Sequence, residues 1–549
     1  MNEPEYSCAA HAPRRRLGSL LLALSLGTFA SVAVGQQPAA KVAKLANRAT
    51  GPAPLAVLFD ATAADSGVPQ PADHGAWHCE WDYGDATSGV WSTTGRRRNG
   101  GIGWLGAHVY EQPGDYTATL TTIDADGVVA TFAQTITVTS AEVSTIYVSA
   151  AGSDANPGTR AEPLQSWNKG LSALFASTGP RRLLLRRGDT FQAPEHSLLS
   201  ARIGPFWIGA YGEGDRPRVT ATNDYGLCFA REVSGVCVTD VEFQLQAAKP
   251  VAWAEGWNCG PNTTFVRCRF AGFGNGLVVE RSDVAVVDCE IANSAYGIVA
   301  FVDVDRVGQR LAVLGCRLDG ATQHLLRYTM SRVLVGENVF GTVTGIGHAI
   351  KQQGRSAANP QVFSCVVGNR FDTACAWVHT IGPQDDNSAE HSLDTLVEGN
   401  LYRPTGGVGT VLCVFAERVT IRNNIIDVAD GAECVSVRQR GKGPVPSRVT
   451  VENNTWLRRA GAPLQTMYRC QSADATRVRG NILWCAGGVV APAGAVELAG
   501  NVMVDPRLGA DYVPGAGSPA IDVGGTRVRT DATRMRRQGA VDAGAMEVR

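Results

Sequence analysis

From about residue 235 the chain repeats one short pattern: two apolar residues, then Cys or Asn, then a variable residue, then a large apolar one. Its anchors are Cys268, Cys289, Cys316, Asn338, Asn369, Asn400, Asn424, Asn454, Asn481 and Asn501, which stand 20 to 31 residues apart. A mean spacing of about 26 is too short for stacked helix pairs, and with Gly and Asn breaking every unit it predicts a solenoid of strands. One such unit cannot bury its own apolar side, so neighbours must stack, and equivalent positions of successive coils then lie about 4.8 Å apart. At that spacing an Asn at a bend can bond through its amide to the Asn above and below it. A Cys fits the same buried file. Cys268, Cys289 and Cys316 are therefore expected to be structural thiols, with disulfides between neighbouring coils as the alternative.

Hydrophobic residues make up 44% of the 549 and charged residues 18%, which excludes a disordered chain. Lys+Arg is 50 and Asp+Glu is 51, so no net field directs the protein to nucleic acid or an anionic membrane, and recognition by charge must be local. Only six of the 50 basic residues are lysines, which makes each lysine an unusual choice. Arg14, Arg15 and Arg16 precede an apolar run from Leu17 to Val34, with small residues at Ala33 and Gly35. This predicts a secretory signal over residues 1–35; an uncleaved anchor is the competing reading. No later run is long enough to span a membrane, so after signal removal the protein is expected to be secreted, periplasmic or at the cell surface. Export permits disulfides, yet loss of Cys8 leaves 13 cysteines, and at least one thiol stays unpaired. CxxC spacing does not occur, which argues against a cysteine-rich zinc site.

Residues 36–48 read as a linker. Over residues 49–140 short alternating runs such as Leu55–Phe59 and Tyr116–Leu120, separated by Gly, Asp and Pro, predict a small β-sandwich. Phe59 to Thr62, Trp81 to Asp85, His108 to Tyr110, Pro113 to Thr117 and Asp124 to Gly127 resemble the PKD (polycystic kidney disease) domain family. That resemblance implies a spacer or carbohydrate-contacting module of secreted proteins. Trp81 and Tyr83 lie on one face of a strand and suit a core, while His74, His78 and Cys79 are expected in a solvated loop rather than at a metal.

The segment after the sandwich carries Tyr147 to Ser149, Gly152 to Asp154, Asn156 to Gly158, Pro163, Leu164, Trp167, Leu171 and Arg187 to Phe191. It resembles the opening of pectate-lyase-like right-handed parallel β-helix proteins. Residues 164–176 read as an amphipathic helix that would cap the apolar end of the solenoid. Asp505, Pro506, Gly517 to Asp522 and Val541 to Ala545 resemble the closing segment of such proteins. The expected fold class is thus all-β: a PKD-type sandwich, a right-handed parallel β-helix over 145–505 and a closing segment over 506–549.

Counting from the anchors, His324 falls 8 residues after Cys316, His348 10 after Asn338 and His379 10 after Asn369, which predicts one histidine column. Arg327 and Lys351 then occupy equivalent places in adjacent coils. Tyr328 and Arg355 lie close by, and Arg438 and Arg469 extend the basic face. A lysine beside another cation and partly buried can lose its proton, whereas arginine cannot. Uronate polymers place a carboxylate next to a weakly acidic carbon, so Arg327 neutralising the carboxylate and Lys351 taking the proton would permit β-elimination. His348, His379 or Arg355 would protonate the leaving oxygen, with His324, Arg355, Tyr328 and Arg438 binding substrate. The pair resembles that of β-helix polysaccharide lyases related to chondroitinase B and alginate lyase. Calcium enters through that resemblance alone, because no matching acidic cluster is found. His348 and Lys351 differ by three positions, so a bend must bring both to one face.

Each residue also has an ordinary structural role to set against this. A histidine in a strand is commonly a bonded core group, Lys351 a solvated lysine, and Arg327 a partner of Tyr328 or Glu337. A glycoside hydrolase would use two of Asp372, Asp385, Asp386 and Glu390. A C5-epimerase would need the same base, and a non-catalytic adhesin or carbohydrate-binding solenoid would use the basic face only to bind. An acidic polysaccharide is the expected partner and a monomer the expected state.

Overall fold

The computed structural model describes residues 40–548 except 141, 177–178, 194–196, 223–225, 247–253, 302–307, 384, 407–408, 430–432, 459–467, 472–475, 486–495, 525–529, 535–536 and 538–540. The expected signal at 1–35 lies outside the described residues.

Three parallel sheets run the length of a β-helix that begins at Ser144–Val148, and each coil contributes one strand to each face. Val284–Val287, Glu290–Ala292 and Tyr296–Ala300 form one coil; Gln309–Leu314, Arg317–Asp319 and His324–Tyr328 form the next. Among the described residues the first face has 14 parallel strands, the second 12 and the third 11. The apolar side chains of all three faces meet in one core, from Val148 and Trp167 to Leu483 and Cys485.

The anchors stack as the repeat predicts. Asn338 Nδ2 donates to Asn369 Oδ1 at 2.9 Å, and the same bond links Asn369 to Asn400, Asn400 to Asn424 and Asn424 to Asn454, each at 2.9 Å. Higher up the file, backbone N–H groups of Cys268 and Cys289 donate to the next cysteine sulfur at 3.4 and 3.3 Å. The twelve cysteines whose side chains the structure describes are free and buried. Each anchor follows a residue with positive φ, from Arg267 (53°) through Glu337 (60°) to Gly500 (60°). The left-handed corner turns the chain from the first face to the second, and the anchor amide bonds the groups freed by the turn.

A helix over Trp167–Leu174 closes the N-terminal end, capped by Ser166 Oγ accepting from Lys169 N at 3.2 Å and burying Trp167, Leu171 and Leu174. The N-terminal sandwich packs one strand pair, Leu55–Asp60 with Leu105–Tyr110, on a sheet that includes His78–Asp82, Gly114–Ile123 and Val129–Thr139. Phe59, Trp81 and Tyr83 form its aromatic centre. Two sequence expectations need correction here. Lys41–Val42 pairs with Phe132 and Ala133, and Leu45 is buried, so residues 40–48 belong to the sandwich because their backbone completes its sheet edge. His78 and Cys79 are buried in a strand rather than in a solvated loop.

The sandwich does not stand apart from the β-helix. Ile102, Trp104 and Leu105 share one apolar cluster with Leu314, Leu334, Cys365 and Leu396 of the first face. Arg332 Nε donates to Asp60 Oδ2 at 2.6 Å, and Arg422 donates to the carbonyls of Gly75 and Trp77 at 3.1 and 3.3 Å. The closing segment lies on the outside of the second face, where Tyr512, Ala520, Ala543 and Ala545 cover Ile425, Leu457 and Ile482.

Candidate functional site

The third face carries the candidate residues. Its register places His324 beside His348 and then Trp377; Leu326 beside Ile350 and then His379; and Arg327 beside Lys351, Thr380, Cys413 and Ser436 in turn. Arg327 and Lys351 are therefore direct register partners. His348 and Lys351 both point away from the core although three positions separate them. The ladder skips the Leu325 and Ala349 level, and Ala349 and Ile350 both enter the core. That is the bend the sequence requires.

His379 is not in the histidine column. Seven residues, 341–347, separate the second-face strand from His348, but only five, 372–376, precede Trp377. Counting from the anchor therefore overshoots by two, and Trp377 takes the place beside His348. His379 is fully buried, with Nδ1 3.4 Å from the Tyr402 hydroxyl. Tyr328 also faces inward, donating to Gln352 Oε1 at 2.9 Å, and cannot line the groove. Arg355 is buried at the corner beyond Gln352, in a short antiparallel pairing with the 390–398 strand. Arg438 lies two positions past Ser436, its guanidinium 5.8 Å from the Phe415 ring centre. The Arg469 side chain lies outside what the structure describes.

Arg327 lies over the Phe301 ring at 4.7 Å and donates from Nε and Nη2 to Gln353 Oε1 at 3.0 and 2.8 Å. Gln353 in turn donates to Glu390 Oε1 at 2.8 Å. Tyr296, His324, His348 and Trp377 form a file of rings with centroids 5.5, 5.0 and 5.6 Å apart. His324 Nδ1 accepts from His348 N at 3.0 Å. Burial, helped by Arg327 and Lys351, pushes the His324 pKa down to about 3. His348 falls to about 2 through burial, then His324, Lys351 and Arg440. Both rings are neutral at ordinary pH, so neither supplies an imidazolium acid.

Lys351 is 2% exposed, which rules out the solvated lysine of the ordinary reading. Its Nζ donates to the Pro383 carbonyl at 2.8 Å and approaches that of Gly382 at 3.4 Å. Burial and then Arg440 lower its pKa to about 7, with Arg327 adding to the shift and Glu390 opposing it. Arg440 escaped the sequence reading because it comes from a turn, outside the repeat. Its guanidinium sits 5.3 Å from the Trp377 ring and 5.4 Å from that of Phe415, and it donates to Asp386 Oδ1 at 3.2 Å. The hydrolase candidates are engaged separately: Asp372 with Arg370, Asp386 with Arg440, Glu390 with Gln353, and Asp385 with its own turn at Asn387 and Ser388. Among the described residues no group of three or more His, Cys, Asp or Glu side chains is arranged to hold a metal ion. None of the described helices is long and apolar enough to cross a membrane.

Fold and sequence together define a PKD domain followed by a parallel β-helix. The PKD domain family matches residues 36–140. Among solved structures, the native lacto-N-biosidase of family GH136 from Eubacterium ramulus is similar at 15% identity and a TM-score of 0.44, over 58% of this chain and 64% of that one. The match thus spans less than two thirds of the biosidase. Pectate lyase Pel9A is similar at 14% identity and a TM-score of 0.38, over 74% of this chain and 97% of that one. The family 28 exopolygalacturonase of Yersinia enterocolitica is similar at 8% identity and a TM-score of 0.40, over 84% and 98%. No curated protein matches the chain.

Proposed function

We propose that this is an exported polysaccharide-active protein whose third face binds an acidic, uronate-containing polymer and cleaves it by β-elimination. The observation that carries the reading is the pairing of Arg327 with Lys351 on adjacent strands, a fixed cation beside an amine crowded by further cations. Arg327 neutralises the uronate carboxylate, which makes the adjacent carbon more acidic. Neutral Lys351 takes the proton from that carbon. The released electron pair forms the carbon–carbon double bond, the bond to the glycosidic oxygen breaks, and the lysine ammonium returns the proton to the leaving oxygen. This assigns the acid to Lys351 rather than to a histidine, since His324 and His348 are held neutral. The ring file from Tyr296 to Trp377 runs beside the cations and suits the apolar faces of sugar rings.

Incubation with alginate, pectate and glycosaminoglycans, with and without a chelator, should produce ultraviolet-absorbing unsaturated ends from one of these polymers. A complete absence of such ends over the panel removes the elimination chemistry. One observation favours a binding-only protein instead: the Lys351 amine is occupied by loop carbonyls. Polymer binding without product would be its signature.

A further inference from the structure

The outward file on the third face changes character along its length. Arg327 is half-buried, whereas Lys351, Thr380, Cys413 and Ser436 are each no more than 2% exposed. Outward residues of a β-helix are ordinarily wet. The Lys351 amine lies under the Gly382 and Pro383 carbonyls, and Arg440 of the turn 439–446 lies over the rings of Trp377 and Phe415 beside it. The two segments meet closely: a Cβ on Gly441 would collide with the Asp386 carbonyl, and one on Gly443 with the Pro383 ring. Arg440 ties them by donating to Pro383 O at 3.4 Å and to Asp386 Oδ1 at 3.2 Å.

This roof leaves polar groups unserved. Thr380 Oγ1, Ser436 Oγ and both ring nitrogens of His348 are buried without a hydrogen-bond partner, apart from the weak thiol of Cys413 beside Thr380. A buried hydroxyl without a partner raises the energy of the state that contains it, and such a group calls for an explanation. The ion pair between the two segments is modest, because the Asp386 side chain is 81% exposed and its pair with Arg440 is screened by water, while Gly382 N also donates to Gln352 O at 2.9 Å.

We propose that Thr380, Cys413 and Ser436 form the covered half of the sugar groove, and that an acidic oligosaccharide occupies it by displacing the Gly382–Pro383 and 439–446 roof. This rests on the acidic-polymer reading above. A uronate carboxylate competes with Asp386 for Arg440, and the withdrawn roof takes the Pro383 carbonyl away from Lys351. Sugar hydroxyls then bond Thr380, Ser436 and His348. The groove so opened runs from Arg327 to Ser436, five coils long.

Cys413 reports on the roof without any need for turnover. The test is alkylation by a small thiol reagent, mapped by peptide mass, with the inward-facing Cys434 as internal reference. In Arg440→Ala the Cys413 rate should rise about tenfold relative to Cys434. Asp386→Asn, which keeps the turn and Arg440 and weakens the tie, should shift the rate in the same direction, and oligomers of alginate or polygalacturonate should suppress that gain. Equal Cys413 and Cys434 rates in both variants would overturn the roof, and a gain indifferent to both oligomers would overturn the subsites. An opening Cys413 in a protein that yields no product from any polymer would sink the lyase reading alone, whereas product with Cys413 closed throughout would sink only the roof.

Discussion

Lys351 is the residue whose environment departs furthest from its ordinary chemistry. Its amine is out of water, and Arg440 and Arg327 outweigh Glu390, so its pKa falls from 10.5 to about 7. Product formation should therefore rise with pH through about 7 and level off above it, in initial rates measured across buffers. A rate that falls over that interval would require a protonated group instead. Lys351→Arg keeps the charge but cannot release the proton, and should lower the rate at least about 100-fold. The same burial opposes folding: below pH 7 the folded state holds an ammonium that would rather be in water, and this penalty fades between 7 and 10.5. His379 acts over a different window. Its folded pKa is about 3 against an ordinary 6.5, so above 6.5 both states are neutral and stability is complete. As pH falls from 6.5 toward 3 the unfolded chain binds a proton the folded chain cannot, and stability drops. His379→Leu should flatten that loss, read as urea midpoints at pH 7 and pH 4.5.

At the scale of one element, the corner file carries the coil. Asn424 Oδ1 accepts from Asn400 N and Nδ2, while its own Nδ2 donates to Val397 O and Asn454 Oδ1. Asn424→Ala leaves several buried groups without partners and should cost about 3 kcal/mol in denaturant unfolding, with polymer specificity unchanged. A variant as stable as the parent would argue that water replaces the file. The second-face-to-third-face turns are looser. Their length varies from coil to coil, and that variation moved Trp377 into the place where counting expected His379.

For the whole molecule, the sandwich and the β-helix share an apolar interface that neither keeps alone. Removing the residues up to 140 would bare Leu314, Leu334, Cys365 and Leu396, and light scattering should show the truncated protein aggregating. A soluble, monomeric truncation would show that the sandwich is a detachable spacer. The solenoid, its buried anchors and the Arg327–Lys351 pairing were legible in the chain, because stacking at one coil per repeat converts spacing into neighbourhood. The inward turn of His379 and Tyr328, the burial of Lys351 and the part played by Arg440 were not. They depend on turn lengths and on segments that fold back across a face, and those are set by contacts between residues with no periodic relation in sequence. Local spacing determined which residues stack; only packing in three dimensions decided which of them meet water, and hence which hold a proton.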